Sequence, residues 1–245
     1  MRLLRFYLPF ALTEGHRYAL PDNVFRHAIR VLRLSENQEL TLFNGDDKEY
    51  RAKLTQVGKK SAEVEILSSL SISRESSLKI HLIQGISKGE RMDFVLQKAT
   101  ELGVTNIYPA FTERTNLAIS QERLEKKHEH WRGVITSACE QCGRNTIPQL
   151  SSPQPLASLC NQLSQQAAVK YMLSPEAPSG LSLYKDNHAE LVVLVGPEGG
   201  LSSEELRIAA DYGFIGISLG PRILRTETAA LAFLAMAQSA WGDLT

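Results

Sequence analysis

Gly196-Pro197-Glu198-Gly199-Gly200 and Leu219-Gly220-Pro221-Arg222-Ile223-Leu224-Arg225-Thr226-Glu227-Thr228-Ala229 decide how this chain folds. Each stretch follows an apolar run that reads as a buried strand, Leu191–Val195 and Phe214–Leu219. Each also precedes a helical pattern. Ser202 with Glu205 carries the spacing of a capping box that opens a helix through Tyr212. Thr226–Trp241 is an alanine-rich helix that packs through Leu231, Phe233, Leu234 and Ala237. Two strand–turn–helix units in succession place two turns at one end of one sheet. Open α/β folds bind their ligands at that end.

Upstream, the same alternation continues. Ile80–Gln84 and Asn106–Pro109 read as strands, with a helix over Arg91–Leu102 that Gly103 stops in the C′ position. A long helix spans residues 121–142. Its core stripe is Leu124, His128, Trp131, Ile135, Ala138 and Cys142, at steps of three and four. Residues 151–166 read as a loop or short helix, and Val169–Leu173 as a further buried strand. Alternation of this kind predicts a mostly parallel sheet covered on both faces.

Before residue 68 the grammar differs. Glu39–Phe43, Tyr50–Leu54 and Ala62–Ile66 alternate with period two around a turn at Asn44-Gly45-Asp46-Asp47. A short helix near Asn23–Val31 precedes them. Residues 68–77, rich in serine, read as a linker. The expected boundary divides 1–72, small and mostly β, from 73–245, α/β.

The 43% hydrophobic and 22% charged content suits a globular chain, and no apolar run reaches the length of a membrane span. The opening Met1–Tyr7 lacks the apolar core of a signal peptide, so a cytoplasmic location is expected. Three cysteines, Cys139, Cys142 and Cys160, make no disulfide framework. Cys139-x-x-Cys142 lacks the second pair that a zinc site needs, and no metal is expected. The formal charge is zero but unevenly spread. Residues 1–35 carry six arginines against Glu14 and Asp22, a net of +4, while residues 151–245 carry −4. A basic front and an acidic tail suit a protein that meets a polyanion with one end.

The first glycine loop has the geometry of a phosphate site, but the sequence contains neither Gly-x-x-x-x-Gly-Lys-Ser/Thr nor Gly-x-Gly-x-x-Gly. The ligand is then one without phosphates, held by main-chain bonds. Arg222, Arg225 and Glu227 in the second loop add charge. Arginines beside such a pocket suit a nucleic-acid phosphate or an anion that develops in a substrate. Taken alone, these residues also fit a nucleotide-dependent α/β enzyme of another class, or an RNA-binding assembly factor without catalysis.

The two loops together resemble the signature of the SPOUT methyltransferases, and within them the bacterial 16S rRNA uracil-N3 methyltransferases. Arg5-Phe6-Tyr7, His27–Arg33, Lys98–Val104 and Glu140–Arg144 support the likeness, which covers essentially the whole chain. The resemblance implies an N-terminal PUA-like β-barrel, a C-terminal α/β domain with a trefoil knot, and a homodimer. It implies S-adenosylmethionine as cofactor, held by Leu173, Gly196, Gly200, Leu219, Gly220, Ile223 and Leu224. It also implies methylation of N3 of a uridine in the decoding region of 16S rRNA, on the assembled 30S subunit. The catalytic set is then Arg225 with Arg222, and Glu198 and Glu227 as proton acceptors or orienting groups. Arg5, His27, Arg30, Arg33, Arg91 and Arg144 would contact RNA.

Overall fold

The computed structural model describes residues 4–115, 120–178, 180 and 188–244, so Met1–Leu3 of the opening stretch lie outside it. The chain divides into two compact units. One comprises Met1–Glu75 with Thr136–Ile147; the other comprises Ser76–Ile135 with Pro148–Thr245.

The first unit is built on strands β1 (Arg5–Tyr7), β2 (Arg17–Ala19), β3 (Glu39–Phe43), β4 (Lys48–Val57) and β5 (Ala62–Ser71). Their order in the sheet is β1-β3-β4-β5-β2, with β1 parallel to β3 and the other pairs antiparallel. The period-two pattern does what strand geometry requires. Leu40 and Leu42, Ala52 and Leu54, and Val64 and Ile66 all turn into one core with Phe6, Leu8 and Phe25. The serine-rich stretch is not all linker. Residues 68–71 extend β5 along β4, with Lys48 opposite Ser71 and Glu49 opposite Leu70. Short polar side chains sit readily on a strand whose partner supplies the backbone bonds. The helix expected over 23–31 divides into an α-helical turn, α1 (Asp22–Phe25), and a π-helical turn over Arg26–Val31. Arg33 follows at φ +57°.

In the second unit, β6 (Lys79–Gly85), β7 (Asn106–Phe111), β8 (Gln149–Leu150), β9 (Gln154–Pro155), β10 (Val169–Leu173), β11 (Glu190–Val195) and β12 (Ile215–Ile217) form one all-parallel sheet. Its order is β12-β10-β11-β6-β7-β8, with β9 also beside β7. The chain runs outward from β6 to β7, then crosses back to β10 and inserts β11 beside β6. The direction of winding therefore reverses between β6 and β11, the position at which doubly wound sheets open a crevice at the carboxyl ends of their strands.

Helices α2 (Glu90–Glu101), α3 (Gln121–Cys142), α4 (Leu156–Ser164), α5 (Ser203–Asp211) and α6 (Thr226–Trp241) complete the chain. Successive residues of β11 face opposite ways. Val192 and Leu194 join a core with Leu159, Leu163 and Ala209 of α4 and α5. On α6, Phe233 is fully buried and lies 5.9 Å from the Tyr171 ring of β10. Residues 151–166 form β9 and α4. Gly103 closes α2 at φ +79°. The final strand, read from the sequence as Phe214–Leu219, is shorter, Ile215–Ile217. Among the described residues, no helix is long and apolar enough to cross a membrane, and no group of three His, Cys, Asp or Glu side chains stands ready for a metal. Burial pushes the Cys139 and Cys160 thiols up to about 12, so both behave as small apolar side chains.

Candidate active site

The turns that leave the parallel strands converge on a cavity of about 590 Å³ in the second unit. Leu173–Glu176 end and follow β10, Val195–Leu201 end and follow β11, and Ile217, Leu219, Gly220 and Arg222–Glu227 lie on and after β12. Arg91 and Arg114 join them from the segments beyond β6 and β7. Every residue expected to hold a cofactor lines this one cavity: Leu173, Gly196, Gly200, Leu219, Gly220, Ile223 and Leu224. So do the four expected catalytic residues, Glu198, Arg222, Arg225 and Glu227.

Close backbone packing shapes the first loop. A Cβ on Gly85 would stand 2.5 Å from the Pro197 nitrogen, so the end of β6 can lie against the loop only as glycine. Gly200 takes φ +70°, which completes the turn before Leu201. Beneath it, buried Gln84 donates from Nε2 to Thr226 Oγ1 at 3.0 Å, and Thr226 Oγ1 donates to the Gly196 carbonyl at 2.6 Å. That chain ties the start of α6 to the first loop. The capping box on α5 is complete: Glu205 N–H donates to Ser202 Oγ at 3.1 Å, and Ser202 N–H donates to Glu205 Oε2 at 2.8 Å. The other oxygen, Glu205 Oε1, accepts from Glu113 N–H at 2.9 Å, which anchors the segment carrying Arg114.

The second loop is left open. Among the described residues, no hydrogen bond uses the main-chain groups of residues 219–224. Along the cavity, the main chain of Leu219, Gly220, Arg222, Ile223 and Leu224 is therefore open to a ligand as a row of donors and acceptors. Leu173, Leu201, Leu206, Ile217, Ile223 and Leu224 supply apolar walls, and Ile223 is 85% exposed. A purine-sized apolar body with polar edges fits such a lining.

The charged residues divide by role. Arg222 and Arg225 are exposed on the cavity wall, with no carboxylate partner among the described residues. Glu227 sits in the first turn of α6, where the helix dipole favours a carboxylate. Its Oε2 is buried without a hydrogen-bond partner among the described residues. Glu198 is engaged through one oxygen, Oε1. It accepts from Lys88 N–H at 3.0 Å and from Arg91 Nη1 at 2.9 Å. Burial opposes its ionisation, but bonds from its own backbone, from Lys88 and from Arg91 outweigh it and hold the carboxyl below the usual range. Glu198 is therefore a poor proton acceptor and a good clamp for Arg91.

The residues expected on RNA separate in the same way. His27, Arg30 and Arg33 are exposed in the first unit. Arg30 stacks over Phe25 at 5.6 Å and donates to the Lys59 carbonyl; His27 packs edge-on against Phe6. Arg5 and Arg144 are buried, at 8% and 5% exposure. Arg5 pairs with Glu49 and donates to Asn145 Oδ1 at 2.7 Å, while Arg144 pairs with Glu75 through Nε and Nη2. These two guanidiniums hold the first unit together, and a phosphate would have to displace carboxylates already in place. Arg114, on the cavity wall, escaped the reading of the sequence. It stands 85 residues before Gly199, whose carbonyl it binds at 2.6 Å, and no local pattern marks it.

A main-chain cavity at the carboxyl edge of a parallel sheet, in a chain that also carries a separate small β unit, defines a class. A family model described as an RNA methyltransferase domain matches residues 74–238, and one described as an RNA methyltransferase PUA domain matches residues 20–67. The chain is 35% identical over 244 residues to ribosomal RNA small subunit methyltransferase E of Buchnera aphidicola, covering 100% of this chain and 99% of that one. It is 26% identical over 227 residues to the Bacillus subtilis protein of the same name, covering 90% and 89%. The chain belongs to the ribosomal RNA small subunit methyltransferase E family. Among solved structures, a methyltransferase from Legionella pneumophila with bound S-adenosylmethionine is 44% identical, with a TM-score of 0.96 over the whole of both chains. Ribosomal RNA small subunit methyltransferase E from Neisseria gonorrhoeae, bound to S-adenosyl methionine, is 42% identical, with a TM-score of 0.91, again over both whole chains.

Proposed function

We propose that this protein uses S-adenosylmethionine to methylate N3 of one uridine in the decoding region of 16S rRNA. In this reading it acts in the cytoplasm as a homodimer, on the assembled 30S subunit. The PUA-like part, 1–72, holds RNA and the part 73–245, with its trefoil knot, carries the catalytic site. The observation that carries the reading is the open main chain of residues 219–224 along a cavity that also presents Arg222, Arg225 and Glu227.

The residues present fit the cofactor. Leu173, Gly196, Gly200, Leu219, Gly220, Ile223 and Leu224 would hold it through main-chain groups and apolar contacts. When bound, it supplies an electrophilic methyl group on a sulfonium. The protein must then make the uracil a nucleophile. N3 of neutral uracil carries a proton, and losing it spreads negative charge onto O2 and O4. Arg225, with Arg222, stabilises that charge from the cavity wall, the role of preorganised donors in anionic transition states. Glu227 takes the proton: its buried, unpartnered oxygen has acceptor capacity to spare. Glu198 keeps Arg91 in place.

Incubation with tritiated cofactor and 30S subunits from cells lacking the enzyme tests the proposal, with mass spectrometry of the digested rRNA. One 3-methyluridine per subunit is expected. Label on another base, or on ribose, would overturn the uracil-N3 reading.

A further inference from the structure

Beside the main cavity lies a second one of about 500 Å³, lined by Lys88, Arg91, Glu113, Arg114, Glu198 and Gly199. Four of these residues line both cavities, so the two are neighbours on one wall. Their chemistry differs. The main cavity is walled in part by leucine, isoleucine and valine; the second is lined by no aliphatic or aromatic residue, and it carries three cations against two carboxylates. Arg91 and Glu198 neutralise each other at 2.9 Å. Lys88 and Arg114 remain against Glu113.

Both remaining cations are prepared for an anion. The Lys88 main chain is fixed by its N–H bond to Glu198, while its ammonium has no partner among the described residues. Arg114 is preorganised. Its stem packs on Gly199, where an added Cβ would lie 3.1 Å from Arg114 Cβ. Nη1 donates to the Gly199 carbonyl, and the other guanidinium donors have no partner among the described residues. A planar fork held this way suits the oxygens of a phosphate. A base would want an aromatic or aliphatic side chain to stack on, and none lines this cavity.

We infer that Lys88 and Arg114 form a phosphate subsite for the RNA strand, which grips a phosphodiester next to the nucleotide presented to the main cavity. The inference rests on the RNA-methyltransferase reading and adds two ligands that motif reasoning did not supply. Both are positioning residues: they act on the register of the strand, and Arg225 on the reacting base.

The test uses the full-length protein and its K88A, K88E and R114A variants. Calorimetry with S-adenosylmethionine reports the main cavity, and fluorescence anisotropy with a labelled decoding-region RNA over a salt series reports the subsite. Cofactor affinity should stay within about twofold for K88A and K88E, since Lys88 does not line the main cavity. RNA affinity should fall about tenfold for K88A and R114A and further for K88E, with the salt slope reduced by roughly one per lost contact. K88A keeps the backbone N–H that binds Glu198, so it remains informative if R114A disturbs the glycine loop. Unchanged RNA affinity and slope in both K88E and R114A would overturn the subsite. Loss of cofactor affinity in K88A would also overturn it, since the cavity would then serve the cofactor's carboxylate. Failure of the wild-type protein to bind the cofactor or to methylate 30S subunits would instead sink the parent reading, and the salt slopes would still report on the subsite.

Discussion

Arg225 and Glu227 flank Thr226, and that spacing divides labour within three residues. Thr226 is buried and spent on the Gly196 carbonyl, while its two neighbours line the cavity. If Glu227 takes the N3 proton, E227Q should lower kcat about 100-fold. The residual rate should then climb with pH as uracil ionises unaided, and the pH profile of kcat checks this. A profile like the wild type's would assign the proton elsewhere. At this scale the sequence was informative where the residues that line the cavity sit in a continuous stretch. Gly196–Gly200 and Leu219–Glu227 place their residues by local turn chemistry. It was uninformative about Arg5 and Arg144, because an exposed arginine and a buried one look alike until Glu49, Glu75 and Asn145 are brought beside them. Arg114 was missed for the opposite reason: its partner, Gly199, is distant in the chain.

Among the elements, α5 shows how a local signal serves the site. Its capping box was readable as Ser202 and Glu205, but the second use of Glu205, on the Glu113 N–H, was not. S202A should cost about 1 kcal/mol, as loss of an N-cap does, and urea unfolding measures it. Rates should change little, since Glu205 keeps its bond to Glu113. The parallel strands and long helices were legible because apolar runs and 3.6-residue stripes are strong signals. The end of β5 was not. Ser68–Ser71 carry no apolar alternation, and only pairing with β4 makes them strand. The π-helical turn over Arg26–Val31 was also unreadable, since its residues suit an α-helix equally well.

For the whole molecule, the division into units follows packing rather than chain order, because residues 136–147 at the end of α3 belong with the first unit. A linear boundary cannot express that. The Arg5–Glu49 pair in the first unit makes it acid-sensitive. Burial raises the Glu49 carboxyl, but Arg74 and Arg5 outweigh it and bring the pKa below its ordinary 4.5. A depressed carboxylate contributes stability above its unfolded pKa and loses it as pH falls through the folded one. Unfolding midpoints should therefore drop below about pH 4.5, and E49Q should cost about 3 kcal/mol at neutral pH and flatten that dependence. The uneven charge predicts an RNA face on the first unit. Reversing Arg30 and Arg33 to glutamate should weaken RNA binding at least tenfold at low salt without changing cofactor affinity, by anisotropy and calorimetry. The central claim is that the main chain of the two loops holds the cofactor while Arg225 acts on the substrate's charge. The direct test measures cofactor Kd and the single-turnover rate of methyl transfer for R225A together. The account predicts a Kd within about threefold of wild type and a rate at least 100-fold lower. A wild-type rate, or a rate loss explained wholly by weakened cofactor binding, would contradict it.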